Sequence, residues 1–409
     1  MRHLQEKVLF ARQPIFDGRQ HVFGYELLFR NGETDKAEFI DGDLATRSVL
    51  LHAYAESSAP QVLNGKPGFL NVGRTMMSAI PSFAKQFLIV EVLEGEHHIG
   101  SLSAEIDELR QRGFQVALDD FEMKNYRPDL IDAVNIVKLD VLMYTPEQLA
   151  EAVDTLGQHS VRLLAEKVET HDMFKYCQSL GFDYFQGFFF CRPEIVRGHI
   201  LDANRRAIFD LIRELYQPEV DVERLIDIVK RDVVLSYKLL KLVNSSFYRR
   251  AQEVNSIGHA VMLLGIVRIR SWATLVSLGK LNHKPDELQT ESLMRGYMCE
   301  HIGERFEHEV QQMSFSAGLL SCLDAWFDYP LDQLMKVLPL SPELSKAVVL
   351  KEGPTGQILS LVVDYMHTKW DRITQTKLAD LQLTLDDLSE AYTYAIARTD
   401  QISELMIEE

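Results

Sequence analysis

From residue 8 to about residue 190 the chain repeats one pattern, a short apolar run followed by a stretch with amphipathic helical spacing. The runs are Val8 to Ala11, Val22 to Leu28, Gly68 to Leu70, Phe87 to Val90, Phe114 to Leu118, Ile136 to Leu139, Val161 to Ala165 and Tyr184 to Phe190. They are too short for helices and read as strands. Helical patterns run over Ser101 to Arg112, Pro146 to Leu156 and His171 to Leu180. Gly113 and Gly181 follow two of them, where helix C-termini favour glycine. About eight strands with intervening helices predict a closed (β/α) barrel rather than an open sheet. The link from Ala11 to Val22 is too short for a crossover helix, so the first strand pair should be an antiparallel hairpin.

The residues that end these runs carry the chemistry. Glu26 ends the second run, Asn71 the third, Glu91 the fourth and Asp119-Asp120 the fifth; Lys138 with Asp140, Glu166, and Gln186 with Gly187 end the last three. In a barrel such ends converge on one face, where active sites lie. Alone, Asp119-Asp120 reads as a helix cap beside a solvated acid. The matching groups on other strands make a cation site the better reading, because adjacent buried acids repel. Oxygen ligands without His or Cys suit a hard cation such as Mg²⁺ or Mn²⁺. The set suffices for two ions, which about 3.5–4 Å apart would activate water and neutralise a phosphodiester. Lys138 would orient that water or stabilise phosphate charge, and Glu166 would take the water's proton or complete the second ion's shell.

Composition narrows the partners. Forty-three Lys plus Arg against 60 Asp plus Glu give a net charge of −17, a poor field for nucleic-acid phosphate. Lys241, Arg249, Arg250, Arg268 and Arg270 form a weak basic candidate that reads equally as a solvated face. The cysteines, Cys177, Cys191, Cys299 and Cys322, lack paired ligand spacing and read as reduced thiols of a cytoplasmic protein. No run is long and apolar enough for a membrane span, and the first residues lack a signal-peptide pattern. His97-His98 and Glu94-Gly95-Glu96 read as loop residues and Phe188-Phe189-Phe190 as barrel wall.

These motifs resemble EAL domains, the barrel phosphodiesterases that open cyclic di-GMP to the linear dinucleotide. The resemblance rests on Arg12-Gln13-Pro14-Ile15, Tyr25-Glu26-Leu27-Leu28-Phe29-Arg30, Asn71, Glu91, Asp119-Asp120-Phe121, Lys138-Leu139-Asp140, Ala165-Glu166-Lys167-Val168-Glu169-Thr170 and Gln186-Gly187. It implies a modified TIM-type (β/α)8 barrel in which Glu26, Asn71, Glu91, Asp119 and Asp120 bind Mg²⁺ or Mn²⁺. It also implies that Lys138 and Glu166 serve the water, Gln186 lines the site, Gln13 and Arg30 contact the ligand, and Asp140 and Glu169 stand behind the ligands. Three differences stand out. Leu27 takes the place of an alanine, putting bulk beside a ligand. Lys167 takes the place of a glycine. Phe121 to Pro128 lacks the two glycines of the usual F-G-T-G-Y-S loop, and with them its backbone freedom.

Beyond Cys191-Arg192-Pro193-Glu194 strand signals vanish, and helical spacing runs to the C-terminus. Expected helices include Asp202 to Tyr216, Val222 to Ile228, Leu235 to Val243, Arg268 to Leu278, Leu293 to Phe306 and Ser314 to Phe327. Asp232 to Ser246 and Ala260 to Gly265 resemble an HDOD domain, a helical relative of HD phosphohydrolases that lacks their metal-binding His-Asp pair. Ser321-Cys322 stands where that pair would be, so no metal site is expected there, and Asp324 reads as a surface residue. The resemblance implies an EAL barrel over 1–197 and an HDOD domain over 198–409 that serves an unidentified protein partner, with homodimerisation also implied. A rival reading is a catalytically inactive cyclic di-GMP sensor or protein scaffold.

Overall fold

A computed structural model describes residues 8–31, 63–93, 102–193, 203–245, 248, 254–281 and 284–407. His97-His98 and Glu94-Gly95-Glu96 lie outside these. The chain divides into two compact units, Met1–Phe189 and Phe190–Glu409. No helix among the described residues is long and apolar enough to cross a membrane.

The first unit is a closed barrel of β1 (Val8–Asp17), β2 (Val22–Asn31), β3 (Gly68–Asn71), β4 (Leu88–Leu93), β5 (Gln115–Asp119), β6 (Ile136–Asp140), β7 (Arg162–Glu166) and β8 (Tyr184–Gln186). Strand β1 pairs antiparallel with both β2 and β8, and every other pair is parallel. The expected hairpin is present. Asp17 Oδ1 accepts the backbone N–H groups of Arg19 at 2.8 Å and His21 at 2.9 Å, bridging a turn in which Gln20 has φ of 63°. Gly113 and Gly181 adopt φ of 92° and 102° after the helices Leu102–Gln111 and His171–Leu180.

Several boundaries differ from expectation, most at β1 and β8. Strand β1 continues through Arg12-Gln13-Pro14 to Asp17, although that stretch breaks the apolar run. Strand β8 stops at Gln186 instead of running to Phe190. At Gly187 φ is 147° and a Cβ would lie 2.1 Å from the Val168 carbonyl oxygen. The chain turns there, and Phe189 stacks on Phe174 at 4.8 Å within the wall.

The barrel interior explains where the site sits. Ile15, Phe69, Ile89, Ala117, Ile136, Leu164 and Tyr184 form one buried apolar layer, with Phe23 packed against it. Side chains two residues apart on a strand share a face. The residues above Phe69, Ile89, Ala117, Ile136, Leu164 and Tyr184 are therefore Asn71, Glu91, Asp119, Lys138, Glu166 and Gln186. On antiparallel β1 the same step leads from Ile15 back to Gln13. Below Glu26 stands Gly24, where a Cβ would meet the Pro67 carbonyl oxygen at 2.6 Å. An apolar floor thus carries a polar ring.

The described part of the second unit is helical. It includes Ala203–Leu215, Val222–Lys230, Val233–Val243, Ile266–Leu278, Asp286–Gly303, His308–Leu320, Gly353–Met366 and Leu385–Ile407. The helix expected over Ser314 to Phe327 is broken into His308–Leu320 and Leu323–Phe327. Ser321 turns its hydroxyl back to donate to the Gly318 carbonyl at 2.7 Å, at the break. Asp324, expected at the surface, is half-buried, and that burial pushes its carboxyl up.

Candidate active site

Strand alternation delivers Glu26, Glu91, Asp119, Lys138 and Gln186 into the mouth of the barrel, all buried. Asp119 and Asp120 are neighbours, and neighbours on a strand point to opposite faces. Both reach the site because Asp120 lies just past β5 with φ of 50°, turning the backbone there. Lys167, just past β7, adopts a similar φ of 56°. A residue with a Cβ loses roughly 1–2 kcal/mol in this conformation.

The Lys138 ammonium, fully buried, is the hub. It lies 2.6 Å from Glu91 Oε1, 2.8 Å from Asp119 Oδ1, 3.0 Å from Glu166 Oε1 and 3.5 Å from Glu26 Oε2. The short contacts to Glu91 and Glu166 combine charge with hydrogen bonding from the ammonium. Asn71 Nδ2 donates to Glu91 Oε2 at 3.2 Å. Gln186 Nε2 donates to Glu26 Oε2 and, at 3.1 Å, to Gln13 Oε1.

Four carboxylates around one ammonium leave excess negative charge, and protons take up part of it. Burial pushes Glu166 up to about 8, with Asp119 and Glu26 adding to burial and Lys138 opposing it. Burial likewise raises Glu91 well above the carboxylate range, and raises Asp120 with help from Asp119. Burial alone would depress Lys138, but Asp119, Glu166, Glu26 and Glu91 outweigh it and hold the ammonium well above the ordinary lysine value.

This has a testable consequence for the ion-free protein. Between its ordinary value of 4.5 and about 8, Glu166 keeps a proton in the folded state that the unfolded chain has lost. Stability should therefore fall as pH rises through that window. Thermal melts in EDTA from pH 5 to 9 are expected to show this decline, and saturating Mn²⁺ should flatten it. A melting temperature that rises across the window would contradict it.

The donor set fits a hard divalent cation. Glu26, Glu91 and Asp119 each offer an oxygen, all within 4.8 Å of one another, and Asp119, Asp120 and Glu166 do the same. Asp119 belongs to both groups, as a ligand shared by two ions would. Only carboxylate oxygens make up the two groups, the donor type that hard divalent cations prefer.

The remaining predicted residues separate. Arg30 lies near the end of β2, but its side chain is outside the described residues. Asp140 accepts the Leu142 N–H at 3.0 Å and lies 2.6 Å from Lys167 Nζ. Glu169 is exposed. Leu27 corrects an expectation. Its side chain points away from Glu26 and packs near Gly68, where a Cβ would meet Leu27 Cδ1 at 3.3 Å. It is buried on the outer face of β2, away from the ring.

The segment after Asp120 is held by aromatic hydroxyls. Tyr144 Oη donates to the Phe121 carbonyl at 3.4 Å and accepts the Met123 N–H at 3.3 Å. Tyr126 Oη is 2.7 Å from His159 Nε2, and His159 Nδ1 is 2.7 Å from Asp132 Oδ1. Phe121 itself is buried. Tyr144, His159 and Asp132 are distant enough in sequence that their role was not legible there.

In the helical unit, Ser321 and Cys322 are buried at the expected position. Sequence reasoning missed their surroundings. Cys191, Glu291 and His367 bring ligand-type atoms within 4.8 Å of one another. Arg295 is placed among them: its Nε donates to Glu291 Oε1 at 2.8 Å, its Nη2 lies 3.2 Å from His367 Nε2, and its Nη1 lies 3.4 Å from Ser321 Oγ. Burial pushes Glu291 up, but Arg295 and His367 prevail and hold it down at about 2. A guanidinium supplies positive charge here. Arg295→Ala should strand the buried Glu291 and destabilise the helical unit by about 3–5 kcal/mol. Urea unfolding followed by far-UV circular dichroism measures this, and a loss below about 1 kcal/mol would contradict it. Of the basic candidates, Arg268 pairs with Glu300 and Arg270 lies over the Tyr216 ring at 5.2 Å, so both are engaged within the unit; Arg249 and Arg250 lie outside the described residues.

A closed barrel with this acidic mouth, followed by a helical unit, defines a two-domain class that comparison with known proteins identifies. The EAL domain family matches residues 67–193 and the HDOD domain family matches residues 204–327, so the chain belongs to the EAL–HDOD proteins. The EAL match begins beyond Glu26, which the barrel nonetheless places in the ring. The chain is 32% identical over 403 residues to "Cyclic di-GMP phosphodiesterase CdgJ" of Vibrio cholerae serotype O1, covering 97% of this chain and 93% of the relative. It is 31% identical over 401 residues to "Uncharacterized protein YuxH" of Bacillus subtilis (strain 168), covering 95% and 97%. Among solved structures, the manganese and cy-diGMP complex of Klebsiella pneumoniae BlrP1 at pH 9.0 overlaps with a TM-score of 0.38 and 22% identity, over 46% of this chain and 56% of that one.

Proposed function

We propose that the barrel, residues 1–197, binds cyclic di-GMP with two Mg²⁺ or Mn²⁺ ions and hydrolyses it to the linear dinucleotide. The observation that carries this reading is the pair of carboxylate groups sharing Asp119. The 32% identity to a protein named a cyclic di-GMP phosphodiesterase adds the substrate class. Glu26, Asn71, Glu91 and Asp119 would hold one ion, and Asp119, Asp120 and Glu166 the other. Bound divalent cations would neutralise the phosphodiester and make a coordinated water more acidic.

The chain's own residues do the rest. Lys138, buried and already paired to four acids, holds their oxygens together and donates toward the attacking water. Glu166 stands at the edge of the ring, where its carboxylate would take the water's proton as general base. Gln186 fixes the Glu26 carboxylate from one side and reaches Gln13, which would face the ligand. The apolar layer beneath closes the barrel to water from below. Residues 198–409 then act as a non-catalytic interaction module, since an arginine stands among Glu291, His367 and Ser321.

One observation favours a second reading, a barrel that binds cyclic di-GMP without turning it over. Lys138 already neutralises the ring in part, so the ligand needs fewer cations to bind. Calorimetry with cyclic di-GMP, paired with chromatography of the product, separates the two. Wild-type protein with Mn²⁺ should yield linear dinucleotide and Glu26→Ala should not. Binding without product would support the sensor, and no binding at all would leave only a protein scaffold.

A further inference from the structure

Lys167 follows Glu166 directly and is held at φ of 56°, a conformation that favours glycine. Such backbone persists where its surroundings over-determine it. Here the side chain crosses from the end of β7 to the end of β6, placing Nζ 2.6 Å from Asp140 Oδ2. Asp140 and Glu166 are register partners on those strands. The other Asp140 oxygen accepts the Leu142 N–H at 3.0 Å, so the carboxylate is fixed from two sides. The Lys167 side chain is 60% exposed, whereas Lys138 is fully buried among the ring carboxylates. The Lys167 charge nevertheless acts on Glu166 and Asp120 as well as on Asp140. Glu166 and Asp120 are two of the three acids in the second carboxylate group. A cation is therefore tethered at the rim of a cluster suited to a divalent ion.

We propose that Lys167 sets the cation concentration at which the Asp119–Asp120–Glu166 group fills, by opposing the incoming divalent ion as a fixed positive charge. The inference rests on the divalent-cation reading of the barrel. A unit charge several ångströms from a divalent ion, in a partly solvated mouth, changes its affinity by about 3- to 30-fold. Because the ammonium is exposed, salt should screen the effect. Lys167 would then be a positioning and tuning residue, acting on the ion through charge and through Asp140.

The test is calorimetric titration of Mn²⁺ into metal-stripped, full-length protein at low and high NaCl. In Lys167→Met one Mn²⁺ site should fill at about 3- to 30-fold lower concentration than in wild type, with the gap narrowing in high salt. Lys167→Arg, which keeps the charge, should track wild type. So should Lys124→Met, which removes an exposed cation paired with Glu122. Lys167→Gln is a second charge-removing variant should the methionine protein fold poorly. Equal affinities for Lys167→Met, Lys167→Gln and wild type would overturn the inference, as would an arginine variant that behaves like methionine. Absence of Mn²⁺ binding in wild type would overturn the metal reading itself, and this inference with it.

Discussion

Glu166→Gln is expected to lower kcat for cyclic di-GMP hydrolysis by about 10²- to 10⁴-fold, the range for loss of a positioned general base. Glutamine keeps the size of the side chain but cannot accept the water's proton. It also removes one charged oxygen from the group with Asp119 and Asp120, so the Mn²⁺ dependence should move to higher concentration. Folding should survive. Glu166 sits at the rim of the ring, and in the ion-free protein its carboxyl is pushed up to about 8, so the neutral form is already populated at pH 7. Steady-state kinetics across a Mn²⁺ series, with a thermal melt of each protein, measures both effects. Retention of more than a tenth of wild-type kcat at saturating Mn²⁺ would remove Glu166 from the base role.

Lys138→Met should have the largest effect on stability. The side chain is fully buried, and its ammonium is the positive centre for Glu26, Glu91, Asp119 and Glu166. Removing one partner of a buried ionic cluster typically costs about 3–5 kcal/mol, because the remaining charges stay buried. Part of that loss should be recovered by protonation, as Glu91 already sits well above the carboxylate range. Ion-free Lys138→Met should therefore melt well below wild type and be most stable at low pH. Mn²⁺ should raise its melting temperature more than it raises that of wild type, since the ions replace the missing charge. Activity should stay low even at saturating Mn²⁺, because the donor to the water is gone. A variant with a wild-type melting temperature in EDTA would contradict the hub role.

Much of this site is legible in the sequence, for a simple geometric reason. On the parallel strands, a polar residue near the C-terminal end that lies two positions after an inward-facing apolar residue shares the barrel's inner face. Ile89 and Glu91, Ile136 and Lys138, and Leu164 and Glu166 all follow the rule. The same rule shows why Leu27 misleads. It is next to Glu26 in the chain but on the opposite face in space. Backbone turns are harder to read. The left-handed φ at Asp120 suits an aspartate, whereas at Lys167 only its standing in place of a glycine marks it. The tyrosine and histidine anchors of the loop after Asp120, and the Arg295 cluster, join residues 20 or more positions apart. Helical spacing placed the second unit's helices well, but not the break at Ser321, which depends on one hydroxyl turning back to the Gly318 carbonyl.

The central claim is that the acidic ring works by holding divalent cations against a cyclic dinucleotide. Single-turnover hydrolysis of cyclic di-GMP by EDTA-stripped, full-length protein, followed as Mn²⁺ is added back, tests it most directly. The account predicts no linear product before Mn²⁺, a rise to full rate as two ions bind, and no rise in Asp119→Ala, which lacks the shared ligand. Undiminished hydrolysis in EDTA, or full Mn²⁺-dependent turnover by Asp119→Ala, would contradict it.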